Sequence, residues 1–309
     1  MLDTLNAIAP VFLIIVIGHL LFRSKLVGEE TWSAIEHLCF YLLFPLLIIR
    51  TLSRANLGDV PVFDFILTLV VAILGMVALL IGSRLLFARQ MDISGPIFSS
   101  LFQGAARFHG FIALAIVASL YGDDGVTLTA IALGVMVPLM NVICVIVLSI
   151  YGQNDIKPDI RSIVLQVLKN PLIGACIVGL LFNLTGIPDI VFSTVEIIGD
   201  GGLGLALLIV GAGMRPGHAA ANKMLVSVGV IIRLIGMPLL VVGMCWLIGL
   251  DGLPRTVAII AGAVPSASSS YVMARKMGGD ATLMSSILTF QVLASFITLP
   301  LFIYLAGIP

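Results

Sequence analysis

QGAARFHGFI, residues 103–112, stands inside an apolar run that otherwise reads as one more membrane helix. Two glycines, Gly104 and Gly110, flank a pair of polar side chains, Arg107 and His109. An arginine at mid-span costs about 2.5–3.5 kcal/mol on insertion scales, so such residues line an interior or an aqueous path. Backbone leaves helical geometry at membrane depth only where protein or a water-filled cavity surrounds it. Glycines weaken the helix here. The stretch is therefore expected to be the gap in a broken helix that builds a binding site, and the rest of the chain has to supply its partner.

Composition sets the class. Of 309 residues, 60% are hydrophobic and 10% charged, with a mean hydropathy of +1.19. Soluble domains carry roughly 25% charged residues, so this is the balance of an all-α polytopic membrane protein with the lipid bilayer around it. The 31 glycines fit helices packed through small residues. Net charge is zero, and nothing points to nucleic acid. Cys39, Cys144, Cys176 and Cys245 lack CxxC or Cys/His metal spacing and read as small buried apolar residues. Residues 5–22 are followed, not preceded, by positive charge (Arg23, Lys25), which is the reverse of a secretory signal and predicts a first span.

Apolar runs approaching the roughly 20 residues needed to cross a bilayer fall at 5–22, 37–52, 63–87, 97–120, 126–150, 170–187, 190–214, 224–250, 256–274 and 281–306. That predicts ten transmembrane helices, the second short and the fourth, seventh and ninth interrupted. With the N-terminus outside, eleven Lys and Arg fall in cytoplasmic loops against three, Arg50, Arg54 and Arg255, on the other side. By the positive-inside rule both termini are expected to be periplasmic, in a bacterial inner membrane. Residues 152–169 form the longest hydrophilic connection, expected to be a cytoplasmic linker with a short amphipathic helix over 160–168.

The linker separates residues 1–151 from 170–309, five spans each, and an odd number inverts the second half. The halves also share local features. A shift of 161 places Pro10 on Pro171, Gly18 on Gly179 and Leu20 on Leu181. GAARFHGFIALAIVASLYGDDG lies against GAVPSASSSYVMARKMGGDA; both run from Gly-Ala through a small-residue break to a Gly/Asp turn. Two inverted five-helix repeats are the expectation, an architecture that places substrate at broken helices near the midplane.

The partner of the first break is then AGAVPSASSSYVMAR, residues 261–275. Pro265 removes a backbone donor, and Ser266, Ser268, Ser269 and Ser270 supply hydroxyls. Two half-helix N-termini aimed at one centre favour an anionic group. A proline kink stabilised by serine back-bonding is the alternative. Arg107 offers a bidentate fork to a carboxylate; a structural pair with Asp123 or Asp124 is the competing possibility. His109 offers proton coupling or a plain interhelical hydrogen bond. For Arg233, snorkelling or a structural pair is expected. Asn141 and Gln291 are intramembrane amides, candidates for the site and also for helix-to-helix glue. Gly201, Gly202, Gly204, Gly211 and Gly213 predict close packing or a dimer surface, and Pro45 a kink. No GxSxG, HExxH or paired intramembrane aspartates are present, which argues against an enzyme.

Four stretches together carry a family resemblance: LLFRSKLVGEETWSAIEHLCFYLLFPLLIIRTL (20–52), FQGAARFHGFIALAIVASLYGDDG (102–125), KNPLIGACIVGLLFNLTGIP (169–188) and AGAVPSASSSYVMARKMGGDATLMSSILTFQVLASFITLPLF (261–302). The chain resembles the auxin efflux carrier family, in the bacterial branch that includes malate and malonate permeases. The resemblance implies a fold similar to that of the bile-acid/sodium symporters, with spans four and nine broken and crossing. Spans one, two, six and seven would form a scaffold and homodimer contact, and the others an elevator-like transport domain. Carried over, the crossover residues are Arg107, Phe108, His109 and Gly110, with Pro265, Ser266 and Ala267. The family commonly shows Asn at His109 and Met-Pro at Val264-Pro265, so substrate or pH response is expected to differ here. The expected activity is secondary transport of small organic anions, carboxylates above all. No cofactor is implied; a crossover without a carboxylate disfavours sodium and leaves protons through His109 open.

Overall fold

The computed structural model describes residues 2–306 except 57, 59, 92, 154–160, 162–164, 166–167 and 215–221, and side chains outside 2–7 and 87–91. All regular structure among these residues is helical: α1 Leu2–Arg23, α2 Glu29–Ser53, α3 Val62–Met91, α4 Gly95–Ala106, α5 Gly110–Tyr151, α6 Pro171–Thr185, α7 Asp189–Asp200, α8 Gly202–Ala212, α9 Lys223–Ile248, α10 Gly252–Ala263, α11 Ser269–Met277 and α12 Ala281–Leu305. The expected linker helix over 160–168 falls largely outside the described residues.

Among the described residues six helical runs are long and apolar enough to cross a membrane, and Ile8–Arg23, Pro171–Thr185 and Gly252–Ala263 are shorter apolar helices. One of the six, Gly95–Tyr151, contains 57 residues. Straight, it would extend about 85 Å, against a hydrocarbon core of about 30 Å. It does not run straight. The chain leaves the helix at 107–109 and folds at Gly122, whose φ of 57° and ψ of −147° suit only a residue without a Cβ.

Two helices carry matched irregularities. In α2 a wide turn over Cys39–Leu43 lets Phe44 N donate to Cys39 O, five residues back, just ahead of Pro45. In α9 the wide turn is Ile232–Gly236, Met237 N donates to Ile232 O, and Pro238 follows. A five-residue step spares the carbonyl that the proline leaves without a donor and re-aims the side chains around it. Such turns occur often at functional sites.

α2 begins at Glu29, eight residues before the run predicted at 37–52. Its first turns, EETWSAIEHL, are too polar to read as membrane helix. Ser33, Glu36 and His37 line a cavity of the protein.

Packing follows small residues. A Cβ added at Gly211 would sit in the carbonyl of Ile15, and one at Gly18 in the carbonyl of Leu208, so α1 and α8 touch backbone to backbone. Gly179 of α6 and Gly199 of α7 bring those helices onto the backbone of α2 around Leu47 and Ile49. A Cβ added at Gly202 would stand 3.0 Å from Leu43, whereas one at Gly204 would meet nothing within 4 Å. Phe44, Leu47 and Ile48 of α2 form one core with Leu172 and Ala175 of α6 and Ala206 and Ile209 of α8. A second and larger core joins α3, α4, α5, α9, α10 and α12 through Phe65, Phe102, Ile112, Met237, Ile259 and Val292.

The C-terminal end of α2 carries ion pairs. Arg50 meets Asp200 at 2.7 Å, Glu196 at 3.5 Å and Asp123 at 3.6 Å. Arg54 pairs with Asp189 at 3.3 Å and lies over the Phe192 ring. This cluster sits about 20 Å along the helix from the cavity-lining Glu36.

Candidate anion site at the crossing of two broken helices

α4 ends at Ala106, and Arg107 takes extended backbone, φ −73° and ψ 156°. His109, φ −91° and ψ 89°, precedes α5. The flanking glycines do not make the break through unusual dihedrals, since neither has a positive φ. They make room: a Cβ at Gly104 would stand 2.9 Å from Ile287, and one at Gly110 would enter Leu133. On the other side α10 ends at Ala263 and Val264 is extended, φ −66° and ψ 151°, as expected of a residue before proline. The chain becomes helical again at Ser269.

The two breaks meet. His109 N donates to Pro265 O at 2.7 Å, joining backbone to backbone at the crossing. Ser266 Oγ donates to Gln103 O at 3.1 Å and lies 3.3 Å from Ser270 Oγ. Gln291 of α12 ties both together. Its Oε1 accepts from Ser266 N at 2.9 Å, while Nε2 donates to Gly104 O at 2.8 Å and Gly229 O at 3.0 Å. All of these groups are buried, where unpaired amides would cost about 1–3 kcal/mol each.

A cavity of about 850 Å³ opens beside the crossing. Its polar wall holds Arg107, His109, Asn141, Ser268 and Ser269; Phe44, Phe108, Phe111, Leu133 and Met140 supply the apolar wall. Gly110 and Ala267 line it too, whereas Pro265, Ser266 and Gln291 lie behind it as its frame. From the crossing the cavity runs along α2 to Glu36 and His37, and along α11 to Lys276 and Met277.

Arg107 is 7% exposed, and its partners are neutral. One terminal nitrogen donates to Asn141 Oδ1 and Ser269 Oγ, both at 2.9 Å, and the other to Met273 Sδ at 2.7 Å. The competing pair with Asp123 is not formed, for Asp123 is held by Arg50. Among the described residues no carboxylate lies within ion-pair distance of Arg107. The cation is thus oriented and not neutralised. His109 Nε2 lies 3.2 Å from Ser268 Oγ, its ring packs edgewise on Phe111, and Nδ1 has no partner.

Sequence reasoning missed Met273, Glu36 and His37, and misread Arg233. Met273 is an unremarked apolar residue until its sulfur is seen on Arg107. Glu36 and His37 were hidden by the polarity of the start of α2. Arg233 neither snorkels nor pairs with an acid: it is fully buried and donates through Nε to Val264 O at 2.8 Å and through Nη2 to Ala261 O at 3.1 Å. A signal for its role was present, because Pro265 at 261+4 leaves Ala261 O without its helical donor, but nothing in the sequence says which side chain answers.

Comparison with known proteins agrees with the resemblance. A family model described as membrane transport protein matches residues 3–303. An uncharacterized transporter of Methanothermobacter thermautotrophicus is 26% identical over 96% of both chains. The uncharacterized transporter YfdV of Escherichia coli is 24% identical, again over 96% of both. Auxin efflux carrier component 6 of Arabidopsis thaliana is 29% identical over 45% of this chain and 26% of the carrier. A polytopic helical chain with two breaks meeting beside an oriented arginine, matched by the family model almost from end to end, belongs to the membrane transport protein family, that of the auxin efflux carriers.

Proposed function

We propose that this transporter is a permease for small organic anions, chiefly carboxylates, working by alternating access. The observation that carries the reading is Arg107, a buried cation in the cavity wall with neutral partners only. A carboxylate entering the cavity would meet a guanidinium already aligned by Asn141 and Ser269, together with hydroxyl donors from Ser268 and Ser269 and the first N–H groups of α5 and α11. Two carboxylate oxygens match the forked donor once they displace neutral partners among Asn141, Ser269 and Met273.

The reading includes ten crossings as two inverted repeats, 1–151 and 170–309. It is supported by the fold-back at Gly122 and by the recurrence of helix, break and helix in α4–α5 and α10–α11. An elevator-like movement is supported by the division of the apolar core into one cluster around α2 and α6 and another around α3, α4, α9, α10 and α12, with α1, α5 and α8 reaching both. α1, α2, α6, α7 and α8 would be the scaffold and the homodimer contact. The setting would be a bacterial cytoplasmic membrane, with the Arg50 cluster and both termini on the outer face. Cysteine accessibility at positions 24 and 56 from either side of intact cells tests that orientation.

Reconstituted protein is to be assayed for uptake of radiolabelled mono- and dicarboxylates, with Arg107→Ala beside it. Loss of uptake in a variant that remains folded and monodisperse is expected; full carboxylate uptake by Arg107→Ala would remove the role given to it.

Proton coupling is a second reading, favoured by the unpaired Nδ1 of His109 inside the crossing. Uptake against imposed pH and sodium gradients separates coupled from uncoupled transport. Indifference to both would make the protein a uniporter.

A further inference from the structure

Arg233 is the largest side chain that is fully buried, and no carboxylate accompanies it among the described residues. Buried charges are ordinarily paired with an ion of opposite sign or bound to a metal. This one has only backbone for company. Its two hydrogen bonds end on Val264 O and Ala261 O, at the C-terminal end of α10, and Nη1 has no partner.

Those two carbonyls are not ordinary helix carbonyls. Ala261 O is orphaned because the residue four positions on is Pro265, and Val264 O belongs to the first extended residue after the helix. The helix macrodipole adds partial negative charge at the same point, about half an elementary charge. Carbonyls freed by unwinding at the C-terminal end of a half-helix are what free cations bind in transporters. Here the position is already filled. The filling group comes from the wide turn Ile232–Gly236 of α9, whose geometry turns Arg233 toward α10.

We propose that Arg233 is a tethered cation. Its guanidinium takes the place that a small free cation would otherwise have to fill at the Pro265 break, and removing the side chain leaves a vacant cation site. This rests on the transport reading only for its consequence, that closing the second break requires no free cation to travel with the substrate. The test below uses no substrate, so its failure would be distinct from a failure of anion transport.

Full-length protein in detergent is melted while the fluorescence of Trp32 and Trp246 is followed, in guanidinium, sodium, potassium or choline chloride at one low-millimolar concentration. Wild type should melt at one temperature in all four salts. Arg233→Ala, which leaves two carbonyls unpaired, should melt about 5–15 °C lower. Guanidinium should restore more than half of that loss and choline none, because a ligand that binds only the folded state raises the midpoint. Guanidinium acting no better than choline, or sodium raising the wild-type midpoint, would overturn the proposal. If Arg233→Ala does not fold, Arg233→Lys and Arg233→Met decide. The lysine keeps the charge and should melt closer to wild type. Methionine equal to or above lysine would show that only bulk is required.

Discussion

The break at 107–109 and the break at 264–268 begin alike and differ in chemistry. Each opens on one extended residue, Arg107 or Val264, and they are joined by His109 N on Pro265 O. The first contains no proline, and its buried carbonyls are served by neutral donors, Ser266 Oγ on Gln103 O and Gln291 Nε2 on Gly104 O. Its own arginine is therefore left to the cavity. The second contains Pro265, which deletes a donor, and a buried arginine from α9 replaces it. Two arginines lie in membrane-spanning helical segments by the sequence count, Arg107 and Arg233. Arg107 lies in the cavity wall with neutral side chains for partners, and Arg233 lies outside that wall with backbone carbonyls for partners. A charge in the middle of a membrane protein is thus not by itself a substrate contact; where it lies and what holds it decide the matter.

The comparison can be broken most forcefully at Gln291, the residue common to both breaks. Gln291→Ala leaves Ser266 N–H and Gly104 O without their side-chain partner and takes one of two donors from Gly229 O, and should lower stability by about 2–6 kcal/mol. A thermal melt within a few degrees of wild type would show that the breaks do not depend on their shared clamp. Next comes Arg107→Ala, for which carboxylate uptake or binding should fall about 10–100-fold, the value of one charge-assisted hydrogen bond or somewhat more. Its melting point should change less than that of Arg233→Met; the reverse order in the two melts would mean that the two arginines have been assigned each other's roles.

Pro265→Ala restores a helical donor for Ala261 O and sets it against Arg233 for the same carbonyl. Uptake should drop about tenfold while stability changes by about 1 kcal/mol or less, since helix propensity gained offsets geometry lost. Transport at the wild-type rate would show that the proline is dispensable to the second break. The smallest effect is expected from His109→Asn, which keeps a polar contact to Ser268 with a smaller neutral group. Stability should move by less than about 1 kcal/mol. The dependence of uptake on pH should flatten, and an unchanged profile would remove His109 from any proton step.

Much of this was legible in the residues. Arg107 inside an apolar run and Pro265 inside another were visible anomalies, and hydropathy alone outlined most of the helices. What failed was whatever depended on solvent inside the membrane. EETWSAIE, residues 29–36, falls outside the predicted run because hydropathy assumes lipid around a helix, whereas Glu36 lines a cavity. The role of Gly104 and Gly110 was misjudged for a related reason. They give room to Ile287 and Leu133, neighbours that lie far along the chain and leave no local trace. Met273 and Arg233 were likewise beyond reach, because the partner of a donor is set by tertiary packing.

The glycine contacts carry a mechanical consequence. α1 and α8 meet at Gly18 and Gly211 with no layer of side chains between them, and α6 and α7 approach α2 in the same manner at Gly179 and Gly199. Helices joined in this way have nothing to shear, so each pair behaves as a single rod. The cavity side differs: there Phe44 of α2 faces Phe111 of α5 as two stacked rings with centroids 4.2 Å apart. Flat rings can slide where interlocked backbones cannot. A slip plane in this molecule would run through that stack, next to the Arg107 guanidinium in the cavity wall.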